Sequence, residues 1–302
     1  MKQISLAATG FQLVTKRVRE RVFLDEMNLV VPWTELVRHI EPRAPAVGPK
    51  GGTPRLCNRN HVAHPLHAAM VHPVGPCHGR GPVRHPLYCE FARLDPGISR
   101  LPDESTILRF RHLPEANDLA LQIMATVNAR LTAKGLLLKA GTPVDATLIA
   151  APISTKNSTG TPDPEMHSAK KGHQWHFCVK AHIGVDAESG LVHTVLGTAA
   201  NVDDVTQGHG LLHGDEEVVF ADAGYKGAEK RKEATGVARQ VAMRPGKRRA
   251  LDKADVIDEL VDKVEQLKAR VRAKVEHPFR VVKRQLGYVK VRYRVWQRTP
   301  RS

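Results

Sequence analysis

The chain has 302 residues, 41% of them hydrophobic, enough for a globular core and too many for a chain disordered throughout. Its formal net charge of +15 favours a polyanionic partner, because clustered Lys and Arg gain free energy by releasing counterions from phosphates. No run reaches the roughly 20 apolar residues of a spanning helix, and Met1-Lys2-Gln3-Ile4-Ser5 opens no apolar signal run. The expectation is therefore a cytoplasmic protein with a nucleic-acid partner and no membrane partner.

From Phe11 to Ile40 apolar residues recur at helical spacing with Pro32 interrupting them, which predicts two short helices. From Pro42 to Cys89 the texture changes: Asp and Glu are absent, and Pro, Gly, His and Arg crowd in. The histidines there (His61, His64, His67, His72, His78 and His85) have irregular spacing and no acidic companions, so disorder describes the tract better than metal binding. Cys57, Cys77, Cys89 and Cys178 lack C-x-x-C spacing and read as free thiols.

Order is expected to return at Leu101-Pro102-Asp103-Glu104-Ser105-Thr106, a capping cluster ahead of Ile107, Leu108, Phe110 and Leu113. A second helical run covers Leu119 to Leu138, with Leu121, Met124, Val127, Leu131 and Leu136 as its buried stripe. Val144 to Ala151 then reads as a strand, and Trp175 to Val185 and Leu191 to Gly197 as a hairpin. Asp203-Asp204 caps a short helix to Leu212, Val218 to Ala221 is a strand, Ala228 to Glu233 a helix, and Val237 to Met243 a fifth strand. A long helix follows, its stripe being Ile257, Leu260, Val264, Leu267 and Val271. The order βββαβαβα is that of an RNase H-like domain: α/β, a mixed sheet flanked by helices, here preceded by a helical N-terminal region. The expected divisions are 1–43 helical, 44–89 aberrant, 90–140 helical, 141–294 catalytic and 295–302 a short tail.

Two-metal phosphodiester chemistry needs carboxylates meeting at one point, since hard cations take oxygen ligands. Asp145 is embedded in an apolar strand, where an ionised side chain is costly unless compensated; facing solvent is the alternative. Asp222 ends the Val218 strand ahead of Ala223-Gly224, at the kind of strand end where sites form, or else it only shapes a turn. Glu276 lies among cations and by itself reads as a surface ion-pair partner. His173, His176, His182 and His193 gather around the hairpin; core or DNA-facing roles suit them better than a metal site. Pro278 predicts a kink or restart just after Glu276.

Arg272, Glu276 and Lys283 repeat the R-(3)-E-(6)-K core of the bacterial DDE transposase signature, although Ala269 stands where that family has Tyr. Together with Gly141-Thr142-Pro143-Val144-Asp145-Ala146-Thr147, Lys180-Ala181-His182-Ile183-Gly184-Val185-Asp186, Ala221-Asp222-Ala223-Gly224-Tyr225 and Val275-Glu276-His277-Pro278-Phe279-Arg280, the chain resembles the insertion-sequence-five group. The resemblance implies a transposase that nicks transposon ends and joins the freed 3′-hydroxyl to target DNA, with Mg²⁺ (or Mn²⁺) held by Asp145, Asp222 and Glu276. It further implies terminal inverted repeats and target DNA as partners, a homo-oligomer when active and a nucleoid-associated bacterial protein. Arg272 and Lys283 are then expected at phosphates near the cut, with Lys170, Lys171, Lys180, Arg280 and Arg284 as further backbone contacts. An RNase H-like nuclease that does not join ends, and a non-catalytic DNA-binding remnant, are the competing readings.

The sequence departs from the family between about Pro49 and His85, where the texture resembles translation out of frame between two compensating shifts, and after Arg294, where an apolar C-terminal helix is expected and not found. Activity of this copy is therefore a separate question from its family. An acid-free, aperiodic, Pro-interrupted tract buries too little apolar surface to offset about 1–2 kcal/mol of backbone entropy per residue. Limited proteolysis is expected to cut first between Pro49 and His85; protection of that tract while the rest is cleaved would contradict the reading.

Overall fold

The computed structural model describes residues 19–43, 90–91, 118–138, 140–153, 163, 165–230, 236–252, 254–285 and 287–291. The aberrant tract, the expected capping cluster at Leu101–Thr106 and the tail lie outside them. The chain divides into two compact units between Arg130 and Leu131.

In the first unit, α1 (Arg19–Val30) and α2 (Trp33–Ile40) are separated at Pro32, as the interrupted periodicity predicts. Trp33, Leu36 and Ile40 are buried; Trp33 meets Phe91 edge-on, and Ile40 packs with Leu119, Val37 and Ile123. α3 (Leu119–Ala133) begins here and stops short of the expected Leu138, at a turn where Gly135 takes a positive φ. Its buried positions are Leu119 and Leu131, whereas Leu121 and Leu136 of the expected stripe are exposed.

The second unit is built on a six-stranded mixed sheet: β1 (Gly141–Ala150), β2 (His167–Lys171), β3 (Gln174–Val185), β4 (Val192–Ala199), β5 (Val218–Ala221) and β6 (Ala238–Val241). β3 is the axis of the antiparallel half: it pairs β1 along one edge, and β2 and then β4 along the other. β5 joins β1 in parallel and β6 joins β5 in parallel. Without β2 the order is β4-β3-β1-β5-β6, which, with helices flanking the sheet, is the RNase H-like arrangement. The sequence reading has no strand at β2.

Between β4 and β5 lie α4 (Asp204–Gln207) and a 3₁₀ turn, His209–Leu211, in place of one helix to Leu212. Leu211 packs with Val144, Val219, Ala221 and Tyr225. Of the helix expected at Ala228–Glu233, Ala228–Lys230 form a 3₁₀ turn, and residues 231–233 lie outside the described residues. After α5 (Pro245–Arg249) comes α6 (Val256–Arg280), capped by Asp255, whose carboxylate accepts from the Ile257 amide.

Two expectations about α6 are corrected. Ile257, Leu260, Val264 and Leu267 are exposed; the helix instead meets the sheet through Val275 and Phe279, which pack on Ile183, Val185 and Val192. A 3–4 period shows that a helix has an apolar face, not that its own domain covers that face. Nor does the helix restart at Pro278, which lies inside it. The irregularity falls one step later, in a π-helical turn at Val281–Gln285 where the Val281 amide bonds the carbonyls of both His277 and Pro278.

The opposite face of the sheet closes tightly over Gly184. A Cβ there would lie 2.5 Å from the Leu211 carbonyl oxygen and 2.8 Å from the His193 ring, so the glycine makes room for both. Gly184→Ala is expected to destabilise the domain by about 1–3 kcal/mol in urea unfolding; a change below about 0.5 kcal/mol would show that this contact is loose.

Candidate active site

The parallel pairing of β1 with β5 sets Gly141, Thr142 and Pro143 opposite Val218, Val219 and Phe220. Two more steps along both chains bring Asp145 level with Asp222, on strands about 4.8 Å apart. Asp222 is still extended at that point and then caps the 3₁₀ turn Ala223–Tyr225, its Oδ1 accepting from the Gly224 amide at 2.8 Å. Asp145 Oδ1 accepts from the Ala146 amide at 2.7 Å. Each acid is thus oriented through one oxygen by its own backbone.

Glu276 arrives from α6. Asp145 pairs with Ile183 across β1 and β3, and Ile183 is covered by Val275 and Phe279, so the helix crosses the sheet beside Asp145. Arg272, one turn before Glu276, shares its face. Burial pushes the Asp145 carboxyl up to about 6; the Ala146 amide opposes this, Asp222 adds to it, Arg272 opposes it and Glu276 adds to it. Asp222, Glu276 and Arg272 therefore all lie within electrostatic reach of Asp145. Among the described residues the Glu276 carboxylate shows no hydrogen bond or ion pair, in contrast to Glu259 and Glu265 on the same helix.

The donor set is three carboxylates, all hard oxygen: Asp145 and Asp222 half-buried and Glu276 exposed at their edge, close enough for Asp222 and Glu276 to raise the Asp145 carboxyl. That chemistry suits a divalent cation such as Mg²⁺ and lacks the nitrogen and sulfur ligands of a softer site.

The cations divide into two groups. Lys170, Arg280 and Arg284 are exposed, and Arg272 is half-buried beside the acids; the Lys171 side chain lies outside the described residues. Lys180 and Lys283, by contrast, are tied down within the fold. Lys180 Nζ lies 2.9 Å from Asp204 and donates to the Val202 carbonyl at 2.7 Å, with its side chain 16% exposed. Lys283 Nζ donates to Thr147 Oγ1 at 2.5 Å and to the Leu148 carbonyl at 2.9 Å, clamping the turn after α6 to β1.

Groups to which the sequence reading assigned no part in the acid site lie close to it. Tyr225 is buried, and burial foremost, with Asp204, Asp145 and Asp222 adding to it, holds its hydroxyl well above the ordinary phenol range, so it stays protonated. Asp204, read from sequence as a helix cap, is instead the Lys180 partner. His182 is fully buried, bonded to Thr198 Oγ1 at 2.8 Å, and burial lowers it to about 4. Of the other hairpin histidines, His173 and His176 are exposed and His193 is buried.

Residues 138–299 match the family described as Transposase DDE domain, over just more than half of the chain. The chain belongs to that family. The family is one of transposase-type, nucleic-acid-cleaving enzymes that act on DNA and work with a divalent metal. No solved structure matches the chain. Among the described residues no helix is long and apolar enough to cross a membrane.

The raised Asp145 carboxyl has a consequence for the metal-free protein. Below about pH 3.8 folded and unfolded chains both hold the proton; as pH rises toward 6 the unfolded chain ionises first and stability falls. Asp145→Asn is therefore expected to raise stability at pH 7 in EDTA by on the order of 1–2 kcal/mol, the carboxyl being partly solvated, with the gain vanishing below pH 4. Thermal melts of both proteins across pH check this; a stability loss at pH 7 would contradict the electrostatic picture.

Proposed function

We propose that the protein is the transposase of a bacterial insertion sequence in the insertion-sequence-five group, cutting the element's terminal inverted repeats and transferring the 3′ ends to target DNA. The observation that carries this is the pairing that sets Asp145 level with Asp222, with Glu276 and Arg272 brought alongside by α6.

Asp145, Asp222 and Glu276 would hold Mg²⁺ (or Mn²⁺), which when bound supplies charge stabilisation for the attacking and leaving oxygens of an in-line displacement. The residues of the chain do the positioning. The Ala146 and Gly224 amides fix the two aspartates before substrate arrives, so little reorganisation accompanies the reaction. Arg272 places a fixed positive charge beside the acids, where the scissile phosphate would otherwise be repelled. The exposed Lys170, Arg280 and Arg284, with Lys171, are assigned to the DNA backbone. Lys180 and Lys283 are assigned instead to holding β3 and β1 in place. Cutting and joining two ends calls for at least two copies of the chain, and the cytoplasm, at the nucleoid, is where such DNA lies.

The segment 44–89 is read as an out-of-frame stretch, flanked by helical regions at 1–43 and 90–140, ahead of the catalytic domain at 141–294. On that reading the acid site is intact while recognition of the element's ends is weakened.

Separate roles for cations and acids give a direct test. Asp222→Asn is expected to retain DNA affinity within about threefold in a gel shift, because Lys and Arg supply the phosphate contacts, and to lose Mg²⁺-dependent cleavage of a duplex bearing the element's ends. A variant losing affinity and cleavage in parallel would overturn the assignment of Asp222.

A further inference from the structure

We infer that His193, His213 and Glu216 form a second metal site, selective for Zn²⁺ over Mg²⁺ and separate from the carboxylate site. One ligand atom from each residue lies within 4.8 Å of the other two, and His193 and Glu216 are buried. The cluster joins β4 to the loop before β5. Thr142 touches it from β1, approaching His193 Nε2 to 3.2 Å and donating to Glu216 Oε1 at 3.3 Å. Thr142 stands three residues before Asp145, an odd step along a strand, so the two side chains leave opposite faces of the sheet, about 10 Å apart along it.

The charge and the hydrogen bonds both leave a place for a cation. The Glu216 side chain is 0% exposed, and its one ion-pair partner among the described residues is His213, with Nε2 3.3 Å from Oε1. Its oxygens are held toward the cluster by the His213 amide at 2.7 Å and the Gly214 amide at 2.8 Å. A fully buried carboxylate whose surroundings among the described residues are imidazoles, two amides and the Thr142 hydroxyl, with no Lys or Arg, is stabilised further by a positive charge. His213 is nine-tenths buried, and its Nε2, facing Glu216, has no hydrogen-bond partner. His193 Nδ1 lies 2.9 Å from Thr194 Oγ1 and Nε2 3.2 Å from Thr142 Oγ1; in the tautomer that donates from Nδ1 to Thr194 the Nε2 lone pair is turned toward Thr142 and the cluster, so a bound metal would replace the Thr142 contact. Two imidazoles and one carboxylate, with a fourth position for water, form a Zn²⁺ donor set, whereas Mg²⁺ favours oxygen alone.

His213 changes tautomer on binding. The Asp215 amide donates to its Nδ1 at 3.2 Å, which puts the ring proton of the metal-free form on Nε2. Coordination through Nε2 would release that proton to solvent and place one on Nδ1, keeping the ring neutral; Nδ1 would then cease to accept from the Asp215 amide, which turns to water. Nδ1 then has Asp215 Oδ2, now 3.8 Å away, as acceptor: a carboxylate–histidine–metal arrangement. Asp215 thus becomes the second-layer residue of the site, although its side chain is 88% exposed.

The test is Zn²⁺ titration of the full chain in excess Mg²⁺, by competition with a chromophoric chelator and by thermal melting. At Zn²⁺ a hundredfold above Kd, Tm is expected to rise by about 5 °C or more. His213→Gln should abolish the rise, and Asp215→Asn should weaken affinity about 10–100-fold; Asp145→Asn should change neither. Zinc taken up by the histidines between His61 and His85 would be insensitive to these substitutions. The proposal is overturned if wild type shows no Zn²⁺-dependent rise, or if His213→Gln keeps it. Should His213→Gln not fold, the exposed Asp215→Asn decides, and an unchanged affinity there overturns the proposal equally.

Discussion

The second unit depends on the register between two parallel strands. Because β5 joins β1 with Thr142 opposite Val219, two acids 77 positions apart in sequence come level at the point where β5 ends and β1 continues. Two carboxylates in neighbouring strands repel each other, and burial of Asp145 sharpens that cost. A cation placed between them would relieve that cost, which is the electrostatic ground of the proposed metal site. A one-residue slip would turn Asp145 to the other face and dissolve the arrangement.

Much of the remaining structure secures that register. β3 holds β1 along seven paired positions, from Val144–Gly184 to Ala150–Cys178. Val275 and Phe279 seat α6 on Ile183 and Val185, which fixes where Glu276 and Arg272 stand. Lys283 fastens the turn after α6 to Thr147 and Leu148, two and three residues beyond Asp145. On the far face, Gly184 lets Leu211 and His193 approach the strand closely. The sheet is thus clamped from both faces near Asp145.

What the sequence showed and what it hid follow from the range of the interactions involved. Asp145 inside an apolar run, Asp222 at a strand end and the Arg272, Glu276, Lys283 spacing are local signals, and all three acids fall on the elements expected for them. The fold class was legible because the strand and helix periods alternate in the RNase H-like order. Facts decided by partners distant in sequence were not legible. Lys180 meets Asp204 and Lys283 meets β1, so two cations expected on DNA are internal fastenings. The α6 stripe has the right period, yet Ile257, Leu260, Val264 and Leu267 stand exposed. Pro278 is tolerated because the helix moves its irregularity into the following π turn. His193, His213 and Glu216 meet only after β4 and the pre-β5 loop fold together; the sole local hint was a His and a Glu three apart around Gly214.

The central claim is that acids from β1, the end of β5 and α6 share one divalent cation, and iron-directed chain cleavage tests it most directly. Fe²⁺ substituted for Mg²⁺, with ascorbate and peroxide, cuts the polypeptide near the bound ion. The account predicts cuts clustered around Asp145, Asp222 and Glu276, suppressed together by excess Mg²⁺ and lost together in Asp222→Asn. Cuts confined to one of these segments, or unaffected by Mg²⁺, would contradict it.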